Sequence, residues 1–125
     1  MKKSDDLPLV YSCSGCSSAA QLANTLAVRL DRAKVAEMSC IAGVGGGVKS
    51  LVNKAKRAAA SNRKIVVLDG CHLQCARHCL DNQGVTPDVH LRLNELGIRK
   101  EYHADVDAAE TERVYKTVLS LLPEN

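Results

Sequence analysis

Cysteine is the residue type in this sequence whose spacing has the most chemistry to offer. The chain contains six cysteines in 125 residues, and most of them fall in the short segments CSGC, MSC and DGCHLQC. Thiolates bind zinc, exchange disulfides in redox enzymes and bind iron–sulfur clusters, so these cysteines are compatible with any of the three kinds of site. The candidate metal ligands are Cys13, Cys16, Cys40, Cys71 and Cys75.

Bond geometry ranks these cysteines as ligands. Zinc binds thiolates at about 2.3 Å in a tetrahedron, so the sulfurs of one site lie within about 4 Å of each other. The two cysteines of CSGC can meet this distance, and Cys71 and Cys75 are spaced to share one face of a helix. Cys79 would lie about 12 Å from Cys71 along a continuous helix, so core packing is its better explanation. His72 is expected to be an exposed loop residue rather than a ligand.

The elements that position these cysteines follow from hydrophobic periodicity. Strands are predicted at residues 9–13, 34–41, 64–68 and 88–93, and helices at residues 19–30, 48–55, 73–83 and 108–122. Ser17 and Asp107 are predicted N-caps, and the glycine-rich residues 43–47 are predicted to form a loop. Strands that alternate with helices predict one α/β domain over residues 1–125, with helices on both faces of a parallel sheet.

The predicted sheet is a small doubly wound one, Rossmann-like or flavodoxin-like, of about four strands in the order 2-1-3-4. In such sheets ligands bind beyond the carboxyl ends of the strands, where the candidate cysteines fall. Cys13, Cys16 and Cys71 also lie near predicted helix N-termini, which are expected to stabilise thiolates and lower the thiol pKa. Asp69, the nearest carboxylate, is expected to cap a turn.

The composition excludes several classes of function. There is no Trp or Phe, and the net charge of +3 comes from scattered basic residues, so nucleic-acid binding is not expected. No apolar run is long enough to span a bilayer, and the N-terminal residues do not read as a signal peptide. We therefore expect a cytoplasmic protein that does not bind membranes. Disulfides are rare in that compartment, which leaves metal binding or redox chemistry for the cysteines.

The segments CSGC, MSCIAGVGGG and LDGCHLQCA resemble the DGC-domain family, named for its Asp-Gly-Cys motif and described as zinc-binding. The resemblance covers nearly the whole chain and implies a zinc site at Cys13, Cys40, Cys71 and Cys75. Chelation by the CSGC segment instead favours Cys16 as the fourth ligand. Whether Cys16 or Cys40 completes the site stays open at this level.

The sequence thus predicts a cysteine-rich metal-binding protein with zinc as its cofactor. A closed set of four thiolates leaves no position for substrate, so its role would be structural, sensory or metal handling. The alternatives are a thiol–disulfide redox enzyme that uses the CSGC dithiol and an iron–sulfur protein. The sequence does not decide whether the protein is an enzyme. The metal ion is the partner that it indicates; it does not identify a protein partner, and it is compatible with a homo-oligomer.

Overall fold

The computed structural model describes residues 4–123 and contains one parallel sheet of four strands. The strands are β1 (Leu9–Ser12), β2 (Glu37–Met38), β3 (Ile65–Asp69) and β4 (Val89–Arg92). Their order in the sheet is β2-β1-β3-β4, and every neighbouring pair is parallel. The predicted α/β class and strand order are confirmed. The single domain over residues 1–125 stays a prediction, and residues 1–3 and 124–125 lie outside the described part.

The helices are α1 (Ser18–Arg32), α2 (Ile41–Gly45), α3 (Lys49–Ala60), α4 (Cys75–Asn82) and α5 (Ala108–Leu121). Short 3-10 turns lie at Ser4–Asp6 and Leu93–Leu96. Both predicted N-caps are present: the Ser17 hydroxyl accepts from the Ala20 N–H, and the Asp107 carboxylate accepts from the Glu110 N–H. None of the helices in residues 4–123 has the length and hydropathy of a membrane span.

The helices cover the sheet in two groups. The connections from β1 to β2 and from β2 to β3 run in opposite directions along the sheet, so right-handed crossovers put α1 and α3 on opposite faces. Helix α5 packs with α1, where the Arg29 guanidinium pairs with Glu112 and lies 3.8 Å from the centre of the Tyr115 ring. Helix α2 packs against both α3 and α4.

The core is aliphatic and centres on β1 and β3. Every residue of these two strands is buried, as expected for parallel strands that are covered on both faces. The largest fully buried side chain is Tyr11, and most of the others are Leu, Ile and Val. The two central strands therefore form a rigid base, and the loops that leave their carboxyl ends carry the candidate site.

Three predicted boundaries need correction. The second strand was predicted over residues 34–41, but only Glu37–Met38 pair with β1, because α1 ends in a tight turn with Lys34 at φ 58°. Residues 43–47 were predicted as a loop, but residues 43–45 belong to α2, whose N-cap is Cys40, and only residues 46–47 lie in the turn that follows. The helix predicted from residue 73 begins at Cys75, because Gln74 is left-handed at φ 57° and cannot continue a helix.

Candidate metal centre

Four thiols line one cleft at the carboxyl ends of β1 and β3. This cysteine cleft has a volume of about 260 Å³ and is lined by Cys13, Cys16, Cys71 and Cys75. The position is where the strand order predicts a ligand site, beside the point at which the chain changes direction across the sheet. The structure thus gathers four of the five predicted metal ligands around one cavity.

The CSGC loop contributes one buried and one exposed thiol. The Cys13 N–H donates to the Leu68 carbonyl at 3.0 Å, so the main chain continues the pairing of the sheet just beyond β1. The Cys13 side chain is buried, and its Sγ accepts the Gly70 N–H at 3.1 Å. Cys16 is exposed, and the loop before it is held by the Gln21 amide, which donates to the Gly15 carbonyl at 2.6 Å.

Gly70 brings the DGC loop into direct contact with the first turn of α1. A Cβ at this position would lie 2.6 Å from the Ala19 carbonyl carbon and oxygen and 2.8 Å from the Ala20 nitrogen. These are backbone atoms, so they cannot rotate away as a side chain can. Glycine is therefore required here by packing, and its close approach brings Cys71 to the cleft beside the CSGC loop.

Asp69 links the end of β3 to the start of α4. Its carboxylate is buried, with Oδ1 accepting the Ala76 N–H at 2.9 Å and Oδ2 accepting the Arg77 N–H at 3.2 Å. The His90 Nε2 lies 2.7 Å from the same Oδ2. Asp69 was expected to cap a turn, and it supplies the cap of α4 from six residues before that helix. Asp69 also lines the cleft, and both of its oxygens accept hydrogen bonds from the start of α4.

Cys40 and Cys79 lie apart from the cleft. The Cys40 Sγ accepts the Gly43 N–H at 3.3 Å and so caps α2, and Cys40 is not among the residues that line the cleft. Cys79 is half-buried on α4, and its Sγ would lie 2.7 Å from a Cβ at Gly45 of α2. The side chain of Cys79 therefore packs between two helices, in agreement with its predicted role.

Burial controls the protonation of Cys13. The pKa of this thiol is raised from an ordinary value near 9 to about 11; desolvation is the largest cause, and the nearby Asp69, Cys71 and Cys75 contribute to the rise. The N–H of Gly70 opposes this effect but does not outweigh it. The prediction that helix N-termini lower the pKa of these thiols is therefore wrong for Cys13, because burial destabilises its thiolate more than the nearby N–H group stabilises it.

Lys100 and Tyr102 also line the cleft and were not predicted from the sequence. Lys100 Nζ lies 3.7 Å from the Cys71 Sγ and 5.3 Å from the centre of the Tyr102 ring, and both residues line the cleft. Their segment is fixed to the start of α1, since the Ser18 N–H donates to the Glu101 carbonyl at 2.7 Å. No local motif marks Lys100 or Tyr102, because they reach the cleft through a contact between distant parts of the chain.

The donor set fits zinc in number and chemistry. Four thiolates are a typical complement for a structural zinc ion. Within residues 4–123, no three Cys, His, Asp or Glu side chains are already close enough together to hold a metal ion. The sulfurs would therefore have to move together to bond one ion. Cys16 and Cys75 are the exposed members of the set and have the most freedom to make this movement.

Comparison with known proteins places these features in a wider group. The model of the DGC domain matches residues 9–118. The chain is also similar to the Anaerobic and virulence modulator AnvM of Pseudomonas aeruginosa, with 54% identity over 118 residues that cover 94% of this chain and 87% of the relative. No solved structure matches the chain.

Proposed function

The chain belongs to the DGC domain family, and from its cysteine cleft we propose that it is a metal-binding protein that holds one zinc ion through Cys13, Cys16, Cys71 and Cys75. The observation that carries this proposal is the presence of four thiols around one cavity at the carboxyl edge of the sheet. Cys13 and Cys16 follow β1, Cys71 follows β3 and Cys75 begins α4, so bound zinc would cross-link the end of β1 to the start of α4.

The cleft favours Cys16 over Cys40 as the fourth ligand. Cys16 lines the cavity with the other three thiols, whereas Cys40 lies beyond it and has its own structural task as the cap of α2. Cys13 gives the site a fixed point, because it is buried and held by the Gly70 N–H. Metal binding would displace the proton that burial keeps on Cys13, so zinc affinity should increase with pH.

Among structural, sensory and metal-handling roles, we favour a sensory one. The relative from Pseudomonas aeruginosa is named as an anaerobic and virulence modulator, and a sensory role agrees best with that name. A four-thiolate site is suited to such a role because oxidation of its sulfurs would release the metal. We further propose that the protein acts in the cytoplasm, with the metal ion as its partner and without nucleic acid or membrane.

A zinc titration with single cysteine variants tests the proposal. Metal-free, reduced protein should bind one zinc ion in competition with a chromophoric chelator. The binding free energy of a structural zinc ion is about 10–16 kcal/mol and is divided among its four ligands. Cys→Ser at position 13, 16, 71 or 75 should therefore weaken zinc binding by on the order of 100-fold or more. Cys40→Ser and Cys79→Ser are the matched controls and should bind as the wild type does. Absence of zinc binding, or a loss caused by Cys40→Ser and not by Cys16→Ser, would contradict the proposed site.

The redox alternative is favoured by one observation, the pairing of an exposed and a buried thiol in one CxxC loop. Burial raises the pKa of Cys13 and so disfavours it as the attacking thiolate, whereas Cys16 is the exposed thiol of the pair. Mass spectrometry after mild oxidation distinguishes the two functions. A reversible loss of two hydrogen atoms confined to Cys13 and Cys16, as a disulfide forms and the added oxidant takes up two electrons, supports redox chemistry if no metal is bound. The iron–sulfur alternative predicts visible absorption after anaerobic purification, which zinc does not give.

A further inference from the structure

Helix α4 begins at Cys75, a proposed ligand, and the residue at its N-cap position does not cap it. Gln74 stands at the N-cap position in a left-handed conformation and makes no side-chain capping hydrogen bond. The N–H groups of Ala76 and Arg77 are satisfied by the Asp69 carboxylate at the end of β3. The position of Cys75, and of Cys71 in the loop between, therefore depends on how firmly Asp69 is held.

His90 is the side chain that holds Asp69 from outside this loop. It lies on β4, paired in register with Val67 of β3, and the Nε2 of its side chain, which is only 14% exposed, lies 2.7 Å from the Asp69 Oδ2. The remaining partner of that oxygen, the Arg77 N–H, is more distant at 3.2 Å. A buried carboxylate that loses its shortest hydrogen bond is held less firmly, and the cap of α4 would loosen with it.

We propose that His90 is a positioning residue of the zinc site: acting through Asp69, it fixes the start of α4 and so holds the backbone from which the side chains of Cys71 and Cys75 would reach the metal. This inference rests on the proposed function, since it assigns these two cysteines as ligands. His90 itself does not line the cleft, which distinguishes its role from that of a ligand. Through the hydrogen bond between His90 and Asp69, strands β3 and β4 both help to hold the site.

Substitution of His90 tests this role. His90→Leu removes the hydrogen-bond donor, and His90→Gln keeps an N–H group at the same reach. We expect His90→Leu to weaken zinc binding by about 10- to 100-fold, as for other residues that orient metal ligands, and His90→Gln to restore most of the affinity. His78→Leu, a change of an exposed histidine on α4, is the matched control and should bind zinc normally.

Hydrogen exchange of the metal-free protein gives a readout that does not depend on zinc. The Ala76 and Arg77 amides should exchange faster in His90→Leu than in the wild type, while His90→Gln should protect them. If His90→Leu does not fold, His90→Asn replaces it, because this shorter amide cannot reach Asp69. Unchanged exchange and unchanged zinc affinity in the variant without the donor would overturn the inference. A wild type that binds no zinc, but whose amides lose protection when His90 is changed, would reject the zinc site and retain the Asp69–His90 link.

Discussion

At the scale of single residues, the three members of the Asp-Gly-Cys motif have three different physical tasks. Asp69 satisfies the first N–H groups of α4, Gly70 lets the loop touch the backbone of α1, and Cys71 presents its sulfur to the cleft. The tasks depend on one another, because the cysteine reaches the cleft only if the glycine packs closely and the aspartate holds the following helix. The motif is therefore a structural unit as well as a source of a ligand.

Gly70→Ala should destabilise the protein much more than Gly15→Ala. The new methyl group at position 70 would meet the Ala19 backbone at 2.6 Å, whereas at position 15 it would lie 3.7 Å from the Ala20 Cβ, an ordinary contact. Overpacking against a fixed backbone costs about 1–3 kcal/mol. Urea unfolding of the two metal-free variants measures the difference. Equal free energies of unfolding would show that the DGC loop does not need its close approach to α1.

The residues of the site differ in how far the sequence could predict them. Cys13, Cys16, Cys71 and Cys75 could be assigned to one sheet edge, because each follows a recognisable strand and parallel strands end on the same side. His90 could not be predicted, since its partner Asp69 lies 21 positions away on the neighbouring strand. The raised pKa of Cys13 was missed for a similar reason, because the extent of burial depends on the assembled fold.

At the scale of elements, the most informative error concerns α2. Its glycines suggested a loop, yet they serve helix packing: Gly43 faces Leu51 of α3, and Gly45 faces Cys79 of α4. Glycine is a weak helix former, but it permits the close approach of neighbouring elements. Local propensity thus favoured a loop, and tertiary packing overrode it. The long helices α1 and α5 were predicted well, because their apolar faces and N-caps can be recognised from neighbouring residues in the sequence.

Gly45 and Cys79 should be energetically coupled. Gly45→Ala places a methyl group 2.7 Å from the Cys79 Sγ, so the single change should cost about 1 kcal/mol or more. In a Cys79→Ala background the sulfur that the new methyl group would meet is absent, so the same change should cost about 1 kcal/mol less. A double-mutant cycle from urea unfolding measures this coupling. Strict additivity of the two changes would exclude direct contact between α2 and α4 at these residues.

At the scale of the whole molecule, the cleft lies on a sheet whose central strands are entirely buried. The buried thiol of Cys13 therefore ties local chemistry to global stability. The folded state holds the thiol proton with a pKa of about 11, whereas the unfolded chain releases it near the ordinary value of 9. Folding is thus linked to proton binding, and the linkage acts only where the two states differ in protonation.

The metal-free, reduced protein should lose stability as the pH rises from about 9 to about 11. In this range the unfolded chain gives up the Cys13 proton before the folded state does, so the contribution of this group to stability is complete below pH 9 and disappears through pH 11. The free energy of unfolding, measured in urea at pH 8 and pH 10.5, should fall less in Cys13→Ser than in the wild type. Cys16→Ser, which changes an exposed thiol of the same loop, is the control, and it should follow the wild type. If the free energy of unfolding of Cys13→Ser fell as much as that of the wild type, burial of the Cys13 thiol would not be the cause of the alkaline loss of stability.

The brevity of β2 has a consequence for how this molecule meets others. An outer strand of two residues offers only about 7 Å of main chain to an incoming strand, too little for stable augmentation of the sheet. Its Glu37 is also engaged by Lys54 at 3.1 Å and Arg63 at 2.9 Å, which leaves charged groups beside that edge. Growth of the sheet by strand addition at this edge, next to the hydrophobic strand β1, is therefore disfavoured.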